Sequence, residues 1–331
     1  MADPTALAAL GPSDVRVTRL GVGTAPLAGL FRVVDEEEAL AALTRAWELG
    51  LKLFDTAPLY GAGLAEQRLG AAVARVSRDE AVVSTKVGRV LEPGRNAEFE
   101  ASWGGTPAFH PKFDFSESGI MRSYSESLGR LGLQRVDVLH IHDPDDHWDE
   151  AIGEAYPALR RLRDRGVVGA IGVGMNQPEM LTRFAASAAF DCFLVAGRYT
   201  LLDQSALPQL LPACQHRGIS VIIGGVFNSG VLADPSPAAH YDYQPPPPAL
   251  LDRVRRIEKV CETHGVPLAA AAVQFPLGHP AVASVLVGVR SMAEVEKDVE
   301  LFQWPIPDEL WERLKADGLL PRDVPVPVAD Q

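Results

Sequence analysis

The sequence predicts a (β/α)8 barrel, a closed ring of eight parallel strands surrounded by helices. Short apolar runs rich in β-branched residues alternate with amphipathic segments, and Gly or Pro separates them. No charged or Gly/Ser-rich linker divides the 331 residues. A barrel of about 250 core residues with insertions suits this pattern better than a doubly wound sheet with a second domain. We therefore expect one α/β TIM-barrel domain over residues 1–331.

Eight strands are predicted from the apolar runs. In chain order they cover residues 18–23, 51–55, 81–86, 136–142, 168–173, 193–197, 220–224 and 284–288. The first helix has Asp35 as its N-cap, Glu38 three residues later and an apolar stripe from Leu40. Further helices are predicted at 64–76, 119–131, 150–165, 205–216 and 308–315, followed by a Pro-punctuated tail at 320–331.

Two long loops interrupt this rhythm, at residues 91–118 after the third strand and 228–248 after the seventh. Both follow the carboxyl ends of strands, which form the catalytic face of such a barrel. Aromatic residues such as Trp103, Phe113 and Tyr243 make these loops candidate walls of a substrate pocket. It is equally open that these aromatic residues belong to solvent-exposed surface loops with no role in binding.

Composition and cysteine content indicate which kinds of binding partner and which cellular location to expect. The chain is 47% hydrophobic with a net charge of −12, which argues against disorder and against nucleic acid or an anionic membrane as partner. Cys192, Cys214 and Cys261 have no metal-ligand spacing, so we expect reduced thiols, a cytoplasmic location and no metal. The first residues lack a basic signal region, and no apolar stretch is long enough to span a membrane. A small-molecule partner is expected, and the oligomeric state stays open.

Four polar residues stand at or just beyond the ends of predicted strands. Asp55 ends the second strand, Tyr60 follows on its loop, Lys86 ends the third strand and His142 ends the fourth. An ammonium group is costly to bury unpaired, so we expect Asp55 to be the partner of Lys86. His140 lies on the same side of its strand as His142, and we expect it to be a hydrogen-bonded histidine inside the barrel.

These motifs resemble the aldo-keto reductase family. The matching segments are residues 20–24 (LGVGT), 55–61 (DTAPLYG), 85–86 (TK) and 141–144 (IHDP). The resemblance implies a barrel fold, a nicotinamide cofactor and a catalytic tetrad of Asp55, Tyr60, Lys86 and His142.

Proton transfer explains why these residue types belong together. Hydride transfer at a carbonyl carbon must be matched by a proton at its oxygen, and a tyrosine with a pKa near 10 exchanges protons poorly near neutrality. We expect Lys86 to lower the pKa of Tyr60, with Asp55 positioning Lys86. His142 is expected to orient the substrate oxygen as a neutral donor.

The resemblance also implies a cofactor site beyond Asp55. Candidate contacts are Gly23, Thr24, Met175, Asn176, Gly224, Phe227, Asn228, Ser229, Gly230, Gly288, Arg290, Ser291, Glu294 and Asp298. Gly224 stands where many relatives carry an aromatic residue that stacks on the nicotinamide. Ser291 and Glu294 also fit a plain capping box, and a helix start of this kind attracts phosphate as well. From these residues alone both interpretations stay open, and the resemblance favours binding of the adenosine end of the cofactor by Arg290 and Ser291.

The sequence is most similar to the branch that oxidises aldoses of the L-fucose, L-galactose or D-threo type at C1 to their lactones with NAD(P). Glu294 and Asp298 are expected to repel the 2′-phosphate of NADP, whereas Arg290 is expected to attract it. Two carboxylates against one guanidinium predict a small preference for NAD. The alternatives are a broad NADPH-dependent aldehyde or ketone reductase, a pyridoxal 4-dehydrogenase and a cofactor-binding subunit that reports redox state without turnover.

Overall fold

The structure is a computed structural model that describes residues 2–236, 239–242 and 244–328. Its strands are β1 (Leu7–Ala9), β2 (Arg16–Thr18), β3 (Leu20–Gly23), β4 (Leu53–Asp55), β5 (Val82–Val87), β6 (Arg89–Pro93), β7 (Phe109–Phe113), β8 (Val138–His142), β9 (Ala170–Met175), β10 (Cys192–Ala196), β11 (Ser220–Gly224) and β12 (Val282–Gly288). Eight of them close into a parallel barrel in the order β3-β4-β5-β8-β9-β10-β11-β12. The predicted fold class is confirmed.

Helices cover the outside of the barrel. They are α1 (Glu36–Glu48), α2 (Leu64–Val73), α3 (Ala97–Ser102), α4 (Glu117–Leu131), α5 (Trp148–Glu150), α6 (Tyr156–Asp164), α7 (Pro178–Ser187), α8 (Leu210–Arg217), α9 (Pro248–Thr263), α10 (Leu268–Gln274), α11 (Met292–Gln303) and α12 (Asp308–Ala316). The π-helical turn Ala151–Ala155 joins α5 to α6. In the described part of the chain, no helix is long and apolar enough to cross a membrane.

Several element boundaries differ from the prediction. The helix expected at 205–216 begins only at Leu210, because Pro208 disfavours helical backbone at the residue before it. The strand expected at 168–173 is Ala170–Met175, since pairing with β8 starts at Val138 opposite Ala170. The first helix does begin as predicted, with the Asp35 carboxylate accepting a hydrogen bond from the Glu38 backbone N–H at 2.7 Å.

The loop predicted at 91–118 has regular structure of its own. β6 and β7 form an antiparallel hairpin that pairs Arg89 with Phe113 at one end and Pro93 with Phe109 at the other. Helix α3 lies between the two strands, and the Asn96 side chain caps its first turn. The long insertion predicted after the third barrel strand is therefore present, and it contains a hairpin that follows β5 directly.

A second hairpin, β1 and β2, closes the end of the barrel opposite the catalytic rim. Its pairing joins Leu7 with Thr18. Leu10 and Val17 are fully buried, and they belong to one apolar cluster with Leu53 of β4 and Cys192 of β10. The lower half of the barrel is thus filled with apolar side chains, which leaves the polar ones at the upper rim.

The barrel is sealed where β12 meets β3. The Arg19 guanidinium donates to the backbone oxygens of Val282 at 2.6 Å and Ala283 at 2.9 Å. The Ser284 hydroxyl donates to the Thr18 oxygen at 2.7 Å. Side chains therefore reinforce the seam between the first and last strands of the ring.

Candidate active site

Lys86 is the centre of the polar cluster at the rim. Its ammonium group donates to Asp55 Oδ2 at 2.6 Å, to the Thr56 backbone oxygen at 2.9 Å and to the Tyr60 hydroxyl at 3.0 Å. The Lys86 side chain is only 1% exposed, so all three donors are used inside the protein. The predicted pairing of Lys86 with Asp55 is confirmed.

Two hydroxyl residues hold Asp55 in place. The Ser84 hydroxyl donates to Asp55 Oδ1 at 2.8 Å, and strand pairing sets Ser84 beside Asp55 across β4 and β5. Thr24 donates both its backbone N–H and its hydroxyl to the Asp55 backbone oxygen, at 2.9 and 3.0 Å. The carboxylate therefore has a fixed direction toward Lys86.

Burial decides the pKa of Tyr60. Burial raises this pKa to about 12, and the nearby Lys86 lowers it by a smaller amount. Lys86 therefore does lower the pKa of Tyr60, as expected, but the net pKa lies above its ordinary value because the cost of placing a phenolate in a dry site is larger. Although burial disfavours a charged lysine, Asp55 and Tyr60 together raise the pKa of Lys86. Lys86 is thus a permanent cation, and Tyr60 holds its proton near neutrality.

His142 faces Tyr60 from the end of β8. The two rings are edge to face, with centroids 6.0 Å apart. Burial, with Lys86 and Arg89 nearby, keeps the pKa of His142 well below its usual value. The neutral imidazole predicted from sequence is therefore the form that the site favours. The Nδ1 atom has no hydrogen-bond partner among the residues that the structure describes.

His140 lies deeper in the barrel and differs from the prediction. It is fully buried, and neither ring nitrogen has a hydrogen-bond partner within the described ranges. Its neighbour on β9 is Gly172, where an added Cβ would stand 2.6 Å from the His140 Nδ1 atom. The Gly172 backbone therefore leaves no space for a partner side chain beside the Nδ1 atom, and the expected hydrogen bond is absent among the described residues. Burial, with a smaller contribution from Lys86, lowers the pKa of His140 to about 3.

This low pKa predicts a pH dependence of stability. Below pH 6.5, His140 is protonated in the unfolded chain but stays neutral in the folded protein until the pH approaches 3. The free energy of unfolding therefore decreases as the pH falls from 6.5 toward 3. We expect His140→Gln to reduce the slope of unfolding free energy against pH by up to about 1.4 kcal/mol per pH unit. Urea unfolding between pH 4 and 7 measures it, and His216→Gln on the exposed face of α8 is the matched control. Equal slopes in both variants would contradict the assignment.

Aromatic side chains from the hairpin segment form a wall beside Tyr60. Trp103 stacks on Tyr60 with ring centroids 5.9 Å apart, and Phe99 stacks on Trp103 at 6.0 Å. Phe31, from the loop after β3, stacks on His240 of the loop after β11 at 5.4 Å. The two long loops therefore approach the barrel mouth, as predicted. Residues 237, 238 and 243, including Tyr243 of the predicted wall, lie outside the described residues.

The opposite side of the mouth is lined by very small residues. Side chains alternate along a strand, and Gly21 and Leu286 meet inside the barrel. The next inward positions on those strands are Gly23 and Gly288. Gly174 is the last residue but one of β9 and Gly224 is the last of β11, and Leu194 lies within 3.7 Å of an added Cβ at each. Four strands of the barrel thus carry glycine at or next to their carboxyl ends, so no side chain projects from these positions.

Helix α11 begins at the next loop of this rim. Ser291 caps it by accepting from the Glu294 N–H at 3.3 Å, and the Glu294 carboxylate accepts from the Arg290 N–H at 2.7 Å. The capping interpretation of this motif is therefore confirmed. Asp298 is buried one turn further on, where burial and the charge of Glu294 raise its pKa to about 7.

Comparison with known proteins identifies this arrangement. The model of the aldo/keto reductase family matches residues 19–317. The chain belongs to this family. It is 44% identical to a D-threo-aldose 1-dehydrogenase from a Pseudomonas species, over 96% of this chain and 98% of the relative. It is 40% identical to a pyridoxal 4-dehydrogenase from Microbacterium luteolum, over 94% and 97%.

A solved structure agrees with the sequence relatives. The aldo-keto reductase AKR11C1 from Bacillus halodurans, in its holo form, superposes with a TM-score of 0.75 at 26% identity and covers 99% of each chain. As an aldo-keto reductase, this protein is an NAD(P)-dependent oxidoreductase.

The residues at the rim fit the nicotinamide cofactor of an aldo-keto reductase. Gly23, Gly174, Gly224 and Gly288 carry no side chain that would compete with a planar ring at the mouth. In the described chain, Asn228 Oδ1 and Arg290 Nε are buried without a hydrogen-bond partner, so an acceptor and a donor are available. An unpaired buried polar atom is costly, which favours a ligand that supplies the missing partner.

The other predicted cofactor contacts differ in burial and in the hydrogen bonds that they already make within the protein. Thr24 is already committed to Asp55, and Met175 is buried at the end of β9. Asn176 is half-buried, and its N–H donates to Gln177 Oε1 at 3.1 Å. Phe227 packs against the core. The turn that follows it contains Asn228, Ser229 and Gly230, all with positive φ, and the Asn228 amide donates to Gly197 O at 3.2 Å.

Sequence reasoning missed two charged residues at the mouth. Arg89 begins the hairpin, and Asp143 follows His142 directly. Arg89 donates to Asp143 Oδ2 at 2.8 Å, and its guanidinium carbon lies 4.0 Å from the centre of the Phe113 ring. In the sequence, the one indication of a role for Arg89 was its position three residues beyond Lys86. Only the structure shows that the hairpin turns Arg89 back toward His142.

Proposed function

We propose that this aldo-keto reductase oxidises an aldose sugar at C1 to its lactone with NAD(P)+. The observation that carries the proposal is the buried contact of Lys86 with the Tyr60 hydroxyl at 3.0 Å, beside a neutral His142. The name of the 44% identical relative, D-threo-aldose 1-dehydrogenase, supports an aldose as substrate.

Each residue of the tetrad has a distinct task in the proposal. The bound cofactor supplies the acceptor for the hydride of C1. Tyr60 takes the proton of the C1 hydroxyl, and Lys86 stabilises the phenolate that this requires. Asp55 balances the charge of Lys86 and fixes its position. His142 donates a hydrogen bond to the reacting oxygen and orients it.

A panel of aldoses assayed with NAD+ and NADP+ tests the proposal. We expect formation of reduced cofactor and a lactone with at least one sugar of the L-fucose, L-galactose or D-threo class. Cofactor binding without turnover of any sugar or aldehyde would favour the redox-reporting subunit instead. Formation of a product other than a lactone would contradict oxidation at C1.

A second candidate is supported by the protonation state of Tyr60. With a pKa of about 12, Tyr60 is a proton donor at neutral pH, which suits reduction of an aldehyde or ketone by NADPH. The 40% identity to a pyridoxal 4-dehydrogenase adds pyridoxal to the substrates to be assayed. The same panel, run in both directions, distinguishes these activities.

The charges on α11 favour NAD over NADP in this proposal. Glu294 lies 3.8 Å from the Arg290 guanidinium and opposes its attraction for a 2′-phosphate. We expect wild type to prefer NAD+, and Glu294→Gln to raise kcat/KM for NADP+ about threefold to tenfold. Glu296→Gln, on the same helix but paired with Arg45, is the control. A wild-type preference for NADP+, or no gain in Glu294→Gln, would contradict the charge argument.

We also propose a cytoplasmic location and a single barrel domain. Cys192, Cys214 and Cys261 are buried free thiols, which suits a reducing compartment. Labelling of thiols in the denatured protein, purified without reductant, is expected to find three per chain.

A further inference from the structure

Asp143 occupies an unusual position beside His142. Its backbone has a φ of 45°, a left-handed conformation that costs free energy for a residue other than glycine, and its N–H donates to the Gly174 oxygen at 3.0 Å. This conformation turns the carboxylate back toward the catalytic face. Asp143 Oδ2 lies 3.5 Å from His142 Nε2, which is longer than a normal N–H···O hydrogen bond. The Nε2 atom therefore stays available to a substrate.

Arg89 holds this carboxylate from the other side. Its terminal nitrogen donates to Asp143 Oδ2 at 2.8 Å, while the guanidinium stacks on Phe113 of the same hairpin. Arg89 Nε is buried and has no partner in the described part of the chain. The Arg89 and Asp143 side chains remain 16% and 29% exposed, so the pair is both fixed and accessible.

Arg89 helps to keep His142 neutral, but the proton-transfer scheme gives this ion pair no contact with the substrate. Lys86 and Asp55 already stabilise the phenolate, and His142 already orients the reacting oxygen. A charged pair at the mouth is nevertheless suited to bind a hydroxyl group, because the carboxylate accepts its proton and the guanidinium donates to its oxygen. Since Asp143 adjoins His142, that hydroxyl would belong to the carbon next to the reacting one.

We propose that Asp143 and Arg89 bind the hydroxyl group on the carbon adjacent to the reacting carbon, which in an aldose is the C2 hydroxyl. The pair thereby makes this oxidoreductase selective for 2-hydroxy aldehydes and aldoses over substrates that lack this group. This inference builds on the proposed aldose oxidation, yet it concerns recognition and also applies when the enzyme runs as a reductase.

Reduction of two matched aldehydes tests the inference. Glyceraldehyde has the adjacent hydroxyl and propionaldehyde lacks it. With NADH and with NADPH, we expect wild-type kcat/KM to favour glyceraldehyde by about 10- to 100-fold. Asp143→Ala is expected to reduce this ratio below about threefold, with Asp143→Asn between them. Asp146→Asn, the same charge change on an exposed residue of the same loop, is expected to keep the wild-type ratio.

The ratio separates recognition from a structural role. If Asp143 merely supports the loop, Asp143→Ala lowers kcat/KM for both aldehydes by the same factor and the ratio is unchanged, which would overturn the inference. A wild type without preference for glyceraldehyde, or one that reduces neither aldehyde, would overturn it as well. If Asp143→Ala does not fold by circular dichroism, Arg89→Lys takes its place, with the ratio again expected to fall.

The same experiment distinguishes this inference from the proposed function. A preference for glyceraldehyde that Asp143→Ala removes supports the inference even if no sugar is oxidised, in which case only the proposed aldose oxidation fails. Oxidation of an aldose and its 2-deoxy analogue at equal rates supports the proposed function and overturns the inference.

Discussion

Replacing Tyr60 with phenylalanine is expected to lower kcat by at least about 100-fold, the usual contribution of general acid–base catalysis. The substitution removes the hydroxyl that meets Lys86 at 3.0 Å, and no other proton-transferring group of the cluster has the same position. The ring that stacks on Trp103 remains, so the pocket wall is preserved. Steady-state kinetics with the best substrate of the panel measures the change.

A matched control separates catalysis from packing. Tyr124→Phe removes a buried hydroxyl on α4 that has no partner among the described residues, and we expect its kcat to stay near the wild-type value. Cofactor affinity of Tyr60→Phe, measured by quenching of protein fluorescence, is expected to change little. A Tyr60→Phe enzyme that kept more than a tenth of wild-type kcat would not use Tyr60 as its acid or base.

The second large effect is expected for Lys86→Met. Without the cation, the pKa of Tyr60 rises further above about 12, so oxidation shifts to higher pH and nearly vanishes at neutrality. The substitution also leaves the Asp55 carboxylate buried without its partner, which costs about 3–5 kcal/mol of folding free energy. The pH dependence of kcat and the urea midpoint report these two consequences separately.

A double variant distinguishes charge balance from catalysis. Asp55→Asn combined with Lys86→Met removes both charges, so we expect it to recover much of the lost stability but none of the activity at neutral pH. The test requires folded protein, which circular dichroism establishes. A pH profile identical to that of wild type in folded Lys86→Met would show that Lys86 does not influence Tyr60.

The sequence predicted the barrel and the Lys86 pairing because each depends on local rules. Apolar runs at strand spacing indicate βα units, and an ammonium group at the end of an apolar strand requires an acidic partner. The net pKa of Tyr60 could not be predicted in this way, since it depends on how completely the folded protein excludes water from the hydroxyl. For His140, the missing partner reflects the close approach of Gly172 from the next strand.

The hairpin after β5 is a part of the fold that could not be predicted from the sequence. Its two strands were not predicted, because the segment contains prolines at 93, 107 and 111 and proline is unusual in paired strands away from an edge. This hairpin is what brings Arg89 beside Asp143. Trp103 of the predicted substrate wall stacks on Tyr60. The charged pair of Arg89 and Asp143 depends on a pairing register that residue types alone do not specify.

The seam between β3 and β12 has a consequence for synthesis of the protein in the cell. Thr18 and Ser284, which are hydrogen-bonded there, are 266 residues apart, so the ribosome has made nearly the whole chain before the seam can form. Until then, β3 lacks one neighbour and exposes an unpaired edge that can associate with other nascent chains. We therefore expect a lower growth temperature and added chaperones to raise the yield of folded protein.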